Sequence, residues 1–147
     1  MRLGKPRQPK ARLIVCERTG KWAVALRRAL QGGAHRVYET RSLAECRDEV
    51  AMSPASLVAV EATAANFDDI LDWLMELGRD FPLCRVVILG FRDLKRGQWL
   101  LREAGAAHVI HSPRSVDSVL RIASRQLEEA KDKEHLTRER FTERIPW

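Results

Sequence analysis

The sequence predicts an α/β fold, with a five-stranded parallel sheet in a three-layer α/β/α sandwich. Short apolar runs alternate strictly with segments of helical period. Several of the runs are apolar throughout, as strands of a sheet covered on both faces must be. The links between them are a few residues long, which suits right-handed crossovers. A length of 147 residues is enough for one domain with a single adequate core. Hydrophobic residues make up 45% of the chain and charged residues 31%, an ordinary globular composition.

The elements follow in order. Residues 11–17, ARLIVCE, form a short apolar run. Residues 19–33 place Trp22, Ala25, Leu26, Ala29 and Leu30 on one helical face, and Gly32-Gly33 stops the helix. Residues 35–40, HRVYET, suit a strand nearer an edge. Residues 42–54 open with Ser42-x-x-Glu45, a capping box, and close at Pro54. Residues 55–60 are the next buried run, ending against Glu61. Residues 66–82 form a helix with Asn66 as N-cap and an apolar stripe of Phe67, Ile70, Leu71, Leu74 and Leu77. Residues 84–91, CRVVILGF, are the most strand-like stretch. Residues 93–105 are a weaker helix with Gly97 inside it, and residues 107–113 a fifth strand. Residues 115–130 form a helix capped by Ser115.

Composition narrows the function. No apolar run approaches the roughly 20 residues that span a bilayer, and no signal-peptide stretch follows the basic start. A cytoplasmic protein without a membrane partner is the expectation. Cys16, Cys46 and Cys84 form no CxxC pair, so buried reduced thiols are expected rather than a zinc site or a disulfide framework. The net charge is +6. Residues 1–12 carry Arg2, Lys5, Arg7, Lys10 and Arg12 with no acid, and residues 128–144 are almost balanced. The body is therefore near neutral, which argues against a nucleic-acid-binding face on it. Three regions result: a basic arm at 1–10, the domain at 11–130 and a charged extension at 131–147.

The stretch GAAHVIHSPRSVDSVLRIA, residues 105–123, resembles the end of the receiver domain of bacterial response regulators (CheY-like). It has a Gly-Ala turn, a strand, a step before proline and a last helix. RLIVCE, SLVAVE and RVVILG match that family's first, third and fourth strands in length and order. The resemblance covers roughly residues 11–127 and implies the flavodoxin-like, receiver-like architecture.

It also implies positions for chemistry at the carboxyl edge of the sheet. A receiver holds magnesium with two acids after its first strand and accepts a phosphoryl group on an Asp ending its third. A Thr or Ser after the fourth strand, a Lys before the proline and a swinging aromatic on the fifth strand read the product. Here those positions hold Cys16 and Glu17, then Glu61, Gly90, Ser112 before Pro113, and Val109. Cys16 withdraws a hard oxygen ligand, Glu61 displaces its carboxylate by a methylene, and Ser112 lacks an ammonium to neutralise a phosphoryl oxygen. The expectation is a degenerate pseudo-receiver, non-enzymatic and unphosphorylated, without metal or cofactor, acting as a protein-binding signalling or scaffolding module. Glu61 becomes a relic or structural acid, solvated at the loop edge or paired with Arg18, Arg92 or Arg114; a fixed carboxylate there that imitates a phosphorylated Asp, and a weak cation site shared with Glu17, are the alternatives.

The resemblance further implies a contact surface on the fourth helix, fifth strand and fifth helix, presenting Arg96, Trp99, Arg121 and Arg125. In the extension, Phe141, Ile145 and Trp147 are the large apolar groups after Leu136 and form a candidate anchor for a partner or a second copy, as in a homodimer. Two other readings stay open: a small flavodoxin-like enzyme using Glu17 and Glu61, and a nucleic-acid adaptor working through the arm. His108 and His111 are expected as separate polar residues at strand ends, and Trp22, Trp73 and Trp99 as core or half-buried.

Overall fold

The computed structural model describes residues 11–30, 36–90, 94 and 96–112, together with Asp117, Val119, Arg121, Ile122, Ser124, Arg125 and Glu128. The basic arm, Arg92, Pro113, Arg114, Ser115, and the extension with Phe141, Ile145 and Trp147 lie outside the described residues. The chain runs β1 (Leu13–Cys16), α1 (Lys21–Ala29), β2 (Val37–Thr40), α2 (Leu43–Met52), β3 (Leu57–Glu61), α3 (Phe67–Asp80), β4 (Arg85–Leu89), α4 (Gln98–Ala104) and β5 (His108–Ile110). The seven described residues between 117 and 128 are helical, in the segment expected to form the last helix.

The five strands lie in the order β2-β1-β3-β4-β5, all parallel. Reversal of direction at β1 puts helices on both faces. Alternation along each strand then divides the core in two. Ile14, Cys16, Val58, Val60, Val86, Ile88 and Val109 face α2, α3 and α4, where Cys46, Val50, Ile70, Leu74, Leu77 and Leu101 meet them. Leu13, Val15, Leu57, Ala59, Val87, Leu89 and Ile110 face the other way, against Trp22 and Leu26 of α1 and against Val119 and Ile122. That two-sided burial is why β1 and β3 are apolar at consecutive positions. β2, with only β1 beside it, is half-exposed over Val37, Tyr38 and Glu39 and takes polar residues.

The structure corrects several local expectations. Asn66 precedes α3 but its side chain does not cap it. Instead Asn66 Oδ1 accepts the Thr63 N–H at 2.6 Å and its amide donates to the Glu61 carbonyl at 3.0 Å, which locks the loop after β3. Ser42 does cap α2, accepting from the Glu45 N–H at 3.1 Å. The return contact of Glu45, however, goes to the N–H of Arg41 rather than to Ser42, at 3.1 Å. α4 begins five residues later than its pattern suggests, with Gly97 at its N-cap rather than inside it. A Cβ on Gly97 would meet the Phe67 ring at 2.6 Å, so this position has room only for glycine. Trp22 and Trp73 are buried, the latter donating to the Leu43 carbonyl at 3.0 Å, but Trp99 is 59% exposed. Cys84 is only half-buried.

Candidate functional site at the carboxyl edge of the sheet

Cys16, Glu17, Glu61 and Gly90 all arrive at one edge because β1, β3 and β4 are parallel neighbours and each ends there. Glu17 is almost fully buried, at 3% exposure. Its Oε1 accepts the Trp22 N–H at 2.8 Å and its Oε2 accepts the Ala23 N–H at 2.6 Å. These are first-turn amides of α1, which lack helical partners. The residue at the N-cap itself is Gly20, in the left-handed region at φ 84°, and it offers no side chain. Glu17 therefore caps α1 from three residues upstream, and the positive end of the helix dipole favours its charge. Its own N–H donates to the Thr40 carbonyl, and Arg41 donates to its carbonyl oxygen.

Glu61 is half-buried, not simply solvated. The indole Nε1–H of Trp22 donates to its Oε2 at 3.1 Å. One tryptophan thus joins the two carboxylates, with its amide on Glu17 and its indole on Glu61. Of the cations expected near Glu61, Arg18 is not its partner, and Arg92 and Arg114 lie outside the described residues. This link was legible in retrospect, since a buried indole N–H requires an acceptor and Trp22 starts the helix that follows Glu17.

Cys16 points to the α2 side, where its thiol meets those of Cys46 and the hydroxyl of Thr40. Hydrogen bonding from Cys46 holds the Cys16 thiol below its ordinary value against the opposite effect of burial. The same contact, together with burial, pushes Cys46 up. Burial alone raises the Cys84 thiol to about 12.

Gly90 donates its N–H to the Ile110 carbonyl at 2.6 Å, which ties β4 to β5 past the end of the ladder. A Cβ there would stand 2.5 Å from Cδ2 of Leu94, a buried residue. The space beside Gly90 is thus filled with a methyl group. Gly90→Ser is expected to destabilise the fold by about 1–3 kcal/mol through overpacking, with Leu94→Ala in the same chain recovering part of the loss. Urea unfolding checks this, and a single-variant change below about 0.5 kcal/mol would contradict it. Val109 is buried among α3 and α4 side chains, and Ser112 is half-buried beyond β5. His111 Nε2 lies 3.2 Å from Gln98 Oε1, whereas His108 starts β5 at the opposite edge.

No protein-family model matches the chain, and no curated protein sequence does. Solved structures do. A response regulator from Thermotoga maritima superposes with a TM-score of 0.69 at 18% identity, covering 81% of this chain and 98% of that one. A CheY-like protein (TadZ) from Pseudomonas aeruginosa gives 0.67 at 16% identity, covering 80% and 99%. An orphan response regulator of H. pylori gives 0.65 at 16% identity, covering 82% and 98%. The fold is that of a receiver domain.

Magnesium, which the receiver resemblance brings with it, does not fit the donors at this edge. Cys16 offers a thiol, and both Glu17 oxygens already accept backbone N–H groups. Among the described residues no group of three or more His, Cys, Asp or Glu is placed to hold a metal ion. Nor is any described helix long and apolar enough to cross a membrane.

Proposed function

We propose that the chain is a degenerate receiver: a non-enzymatic, unphosphorylated module of two-component type that works in the cytoplasm by binding protein. The observation that carries this reading is the engagement of Glu17. Phosphoryl transfer on a receiver edge needs carboxylates free to hold a cation beside the acceptor. Here one carboxylate is committed to the amides of α1, and the other takes the indole of the same helix. The arrangement makes the edge a structural joint between β1, β3 and α1. Its acids set the position of a helix and have no role left in group transfer.

Protein binding then falls to exposed apolar surface. At the start of α4, Trp99 is 59% exposed and Leu100 is 36% exposed, with Arg96 exposed beside them. A large aromatic in that company suits an interface better than solvent. The partner is a protein, and a second copy of the chain is one form it takes.

The test exposes the full chain to acetyl phosphate, and separately to beryllofluoride with magnesium. Intact mass is expected to stay unchanged, and the amide spectrum around Glu61 and Gly90 to stay in place. A stoichiometric phospho-adduct, or shifts centred on those residues, would overturn the proposal. In parallel, affinity capture should recover a protein partner that Trp99→Ala loses; capture unaffected by that change would remove the α4 surface from the reading.

A further inference from the structure

Cys16 is the last residue of β1 and Cys46 the fourth of α2. Both are free thiols. α2 packs on the face of the sheet to which Cys16 points, and the two side chains are buried in the same apolar layer. There the two thiols are hydrogen-bonded to each other. Thr40, opposite Cys16 in β2, places its hydroxyl beside both. That hydroxyl is held by its own bond to the Val15 carbonyl at 3.0 Å. Two sulfurs do not make a metal site, and among the described residues no third His, Cys, Asp or Glu joins them to hold an ion. What two thiols in contact can do is lose two electrons together.

The two thiols are not equivalent. Cys46 is fully buried, whereas Cys16 ends a strand at the carboxyl edge and keeps 5% exposure. The bond from Cys46 favours the Cys16 thiolate, against burial and the charges of Glu45 and Glu17. The same bond and burial keep Cys46 protonated. The thiolate is the form that attacks an oxidant, so Cys16 is the nucleophile and Cys46 the thiol waiting beside it. Cys84 is the contrast. It is the most accessible of the three, being half-buried, yet burial holds its thiol up at about 12. So little surface at Cys16 admits a small oxidant and excludes a bulky one.

We infer that Cys16 and Cys46 are a redox-sensitive pair, which a small hydroperoxide such as hydrogen peroxide converts to a reversible disulfide. The Cys16 sulfur attacks one peroxide oxygen, the O–O bond breaks and hydroxide leaves, which makes Cys16 a sulfenic acid. The Cys46 sulfur then attacks the Cys16 sulfur. The S–S bond forms, the S–O bond breaks and a second hydroxide leaves, while the two thiol protons turn both hydroxides into water. The pair loses two electrons and the peroxide gains them. The sulfurs are in contact beforehand, so reaching a bond of about 2 Å needs only a local shift of α2. The bond fastens α2 to β1 one residue before Glu17, the acid that holds α1. Oxidation thus stiffens this edge, whatever role its acids have.

The test treats the reduced full chain with millimolar hydrogen peroxide, blocks the remaining thiols in denaturant and reads intact mass and peptide map. The chain should lose two hydrogens, take up one blocking group, at Cys84, and yield one cross-linked peptide, Cys16 to Cys46, which dithiothreitol reverses. In urea the same treatment should spread cross-links over all three cysteines, because the native contact is gone. Glutathione disulfide should leave the folded chain reduced. The oxidised chain should melt a few degrees above the reduced one, since the bond restrains the unfolded state. Cys84→Ser should keep the cross-link. Cys46→Ser, checked for folding by circular dichroism, should abolish it and leave a Cys16 sulfenic acid that dimedone labels. The inference is overturned if the folded chain stays fully reduced in peroxide, if Cys84 enters the cross-link, or if folded and urea-unfolded chains give the same products. It is equally overturned if glutathione disulfide oxidises the pair as readily as peroxide, or if the oxidised chain melts below the reduced one. The comparison of folded with unfolded chain needs no variant, so a variant that fails to fold does not blunt the test.

Discussion

Leu57→Ala is expected to destabilise the domain by about 2–5 kcal/mol, a large share of the roughly 5–15 kcal/mol that holds a domain of this kind together. Leu57 is fully buried at the start of β3, the central strand. It lies opposite Leu13 in β1 and Arg85 in β4, so neither neighbour can slide into the gap without breaking a ladder. Its N–H donates to the Arg12 carbonyl at 2.9 Å, which anchors the backbone at the same point. Its side chain packs in the layer with Leu13, Val15, Trp22 and Leu26, where rigid strands and α1 leave little freedom to collapse. Guanidinium unfolding, with the slope checked for two-state behaviour, measures the loss. A value under about 1 kcal/mol would mean that the layer relaxes and that β3 is less confined than its position implies.

The same strand shows what the sequence could reveal and what it could not. Leu57 to Val60 are apolar at every position because β3 is covered on both faces, and that pattern alone places it centrally. Tyr38 and Glu39 break the pattern in β2, and β2 is an edge strand. The strand content and the edge position of β2 thus follow from one physical rule about burial, whereas β5, apolar and buried at Val109 and Ile110, lies at the other edge against that rule. The carboxyl edge is different, because its contacts are made by residues whose separation in the chain carries no period. Glu17 reaches forward five and six positions to backbone amides, and backbone amides are invisible to a search for side-chain chemistry. Trp22 and Glu61 are 39 residues apart, joined only because β1 and β3 are neighbours. Trp99 has the spacing of a packed residue, but α4 starts late, at Gln98, and the indole is left on the surface. Arg121 and Arg125 stand out in the sequence as a helical pair, yet nothing local ties them to Arg85 and His108, which line the same cavity.

Glu17→Ala is expected to destabilise the domain by about 2–5 kcal/mol and to loosen the first turn of α1. The estimate rests on two buried amide donors, at Trp22 and Ala23, each losing a charged acceptor at 2.8 and 2.6 Å. A donor left unsatisfied in a buried place costs about 1–3 kcal/mol. Gly20 cannot replace the lost cap, because it has no side chain. Glu17→Gln separates charge from shape. It retains one acceptor oxygen but turns an NH₂ group toward the second amide, so a smaller loss of about 1–3 kcal/mol is expected. The consequence passes along Trp22, whose indole N–H should shift in the NMR spectrum as its bond to Glu61 changes. Glu61→Gln should move that same indole signal while altering stability by less than Glu17→Ala does, because Glu61 is only half-buried and accepts one bond from Trp22. If Glu17→Ala instead leaves stability within about 0.5 kcal/mol of the parent, the carboxylate is not the cap of α1. It would then be free for other work at the carboxyl edge, and the main support for an edge without group-transfer chemistry would be gone.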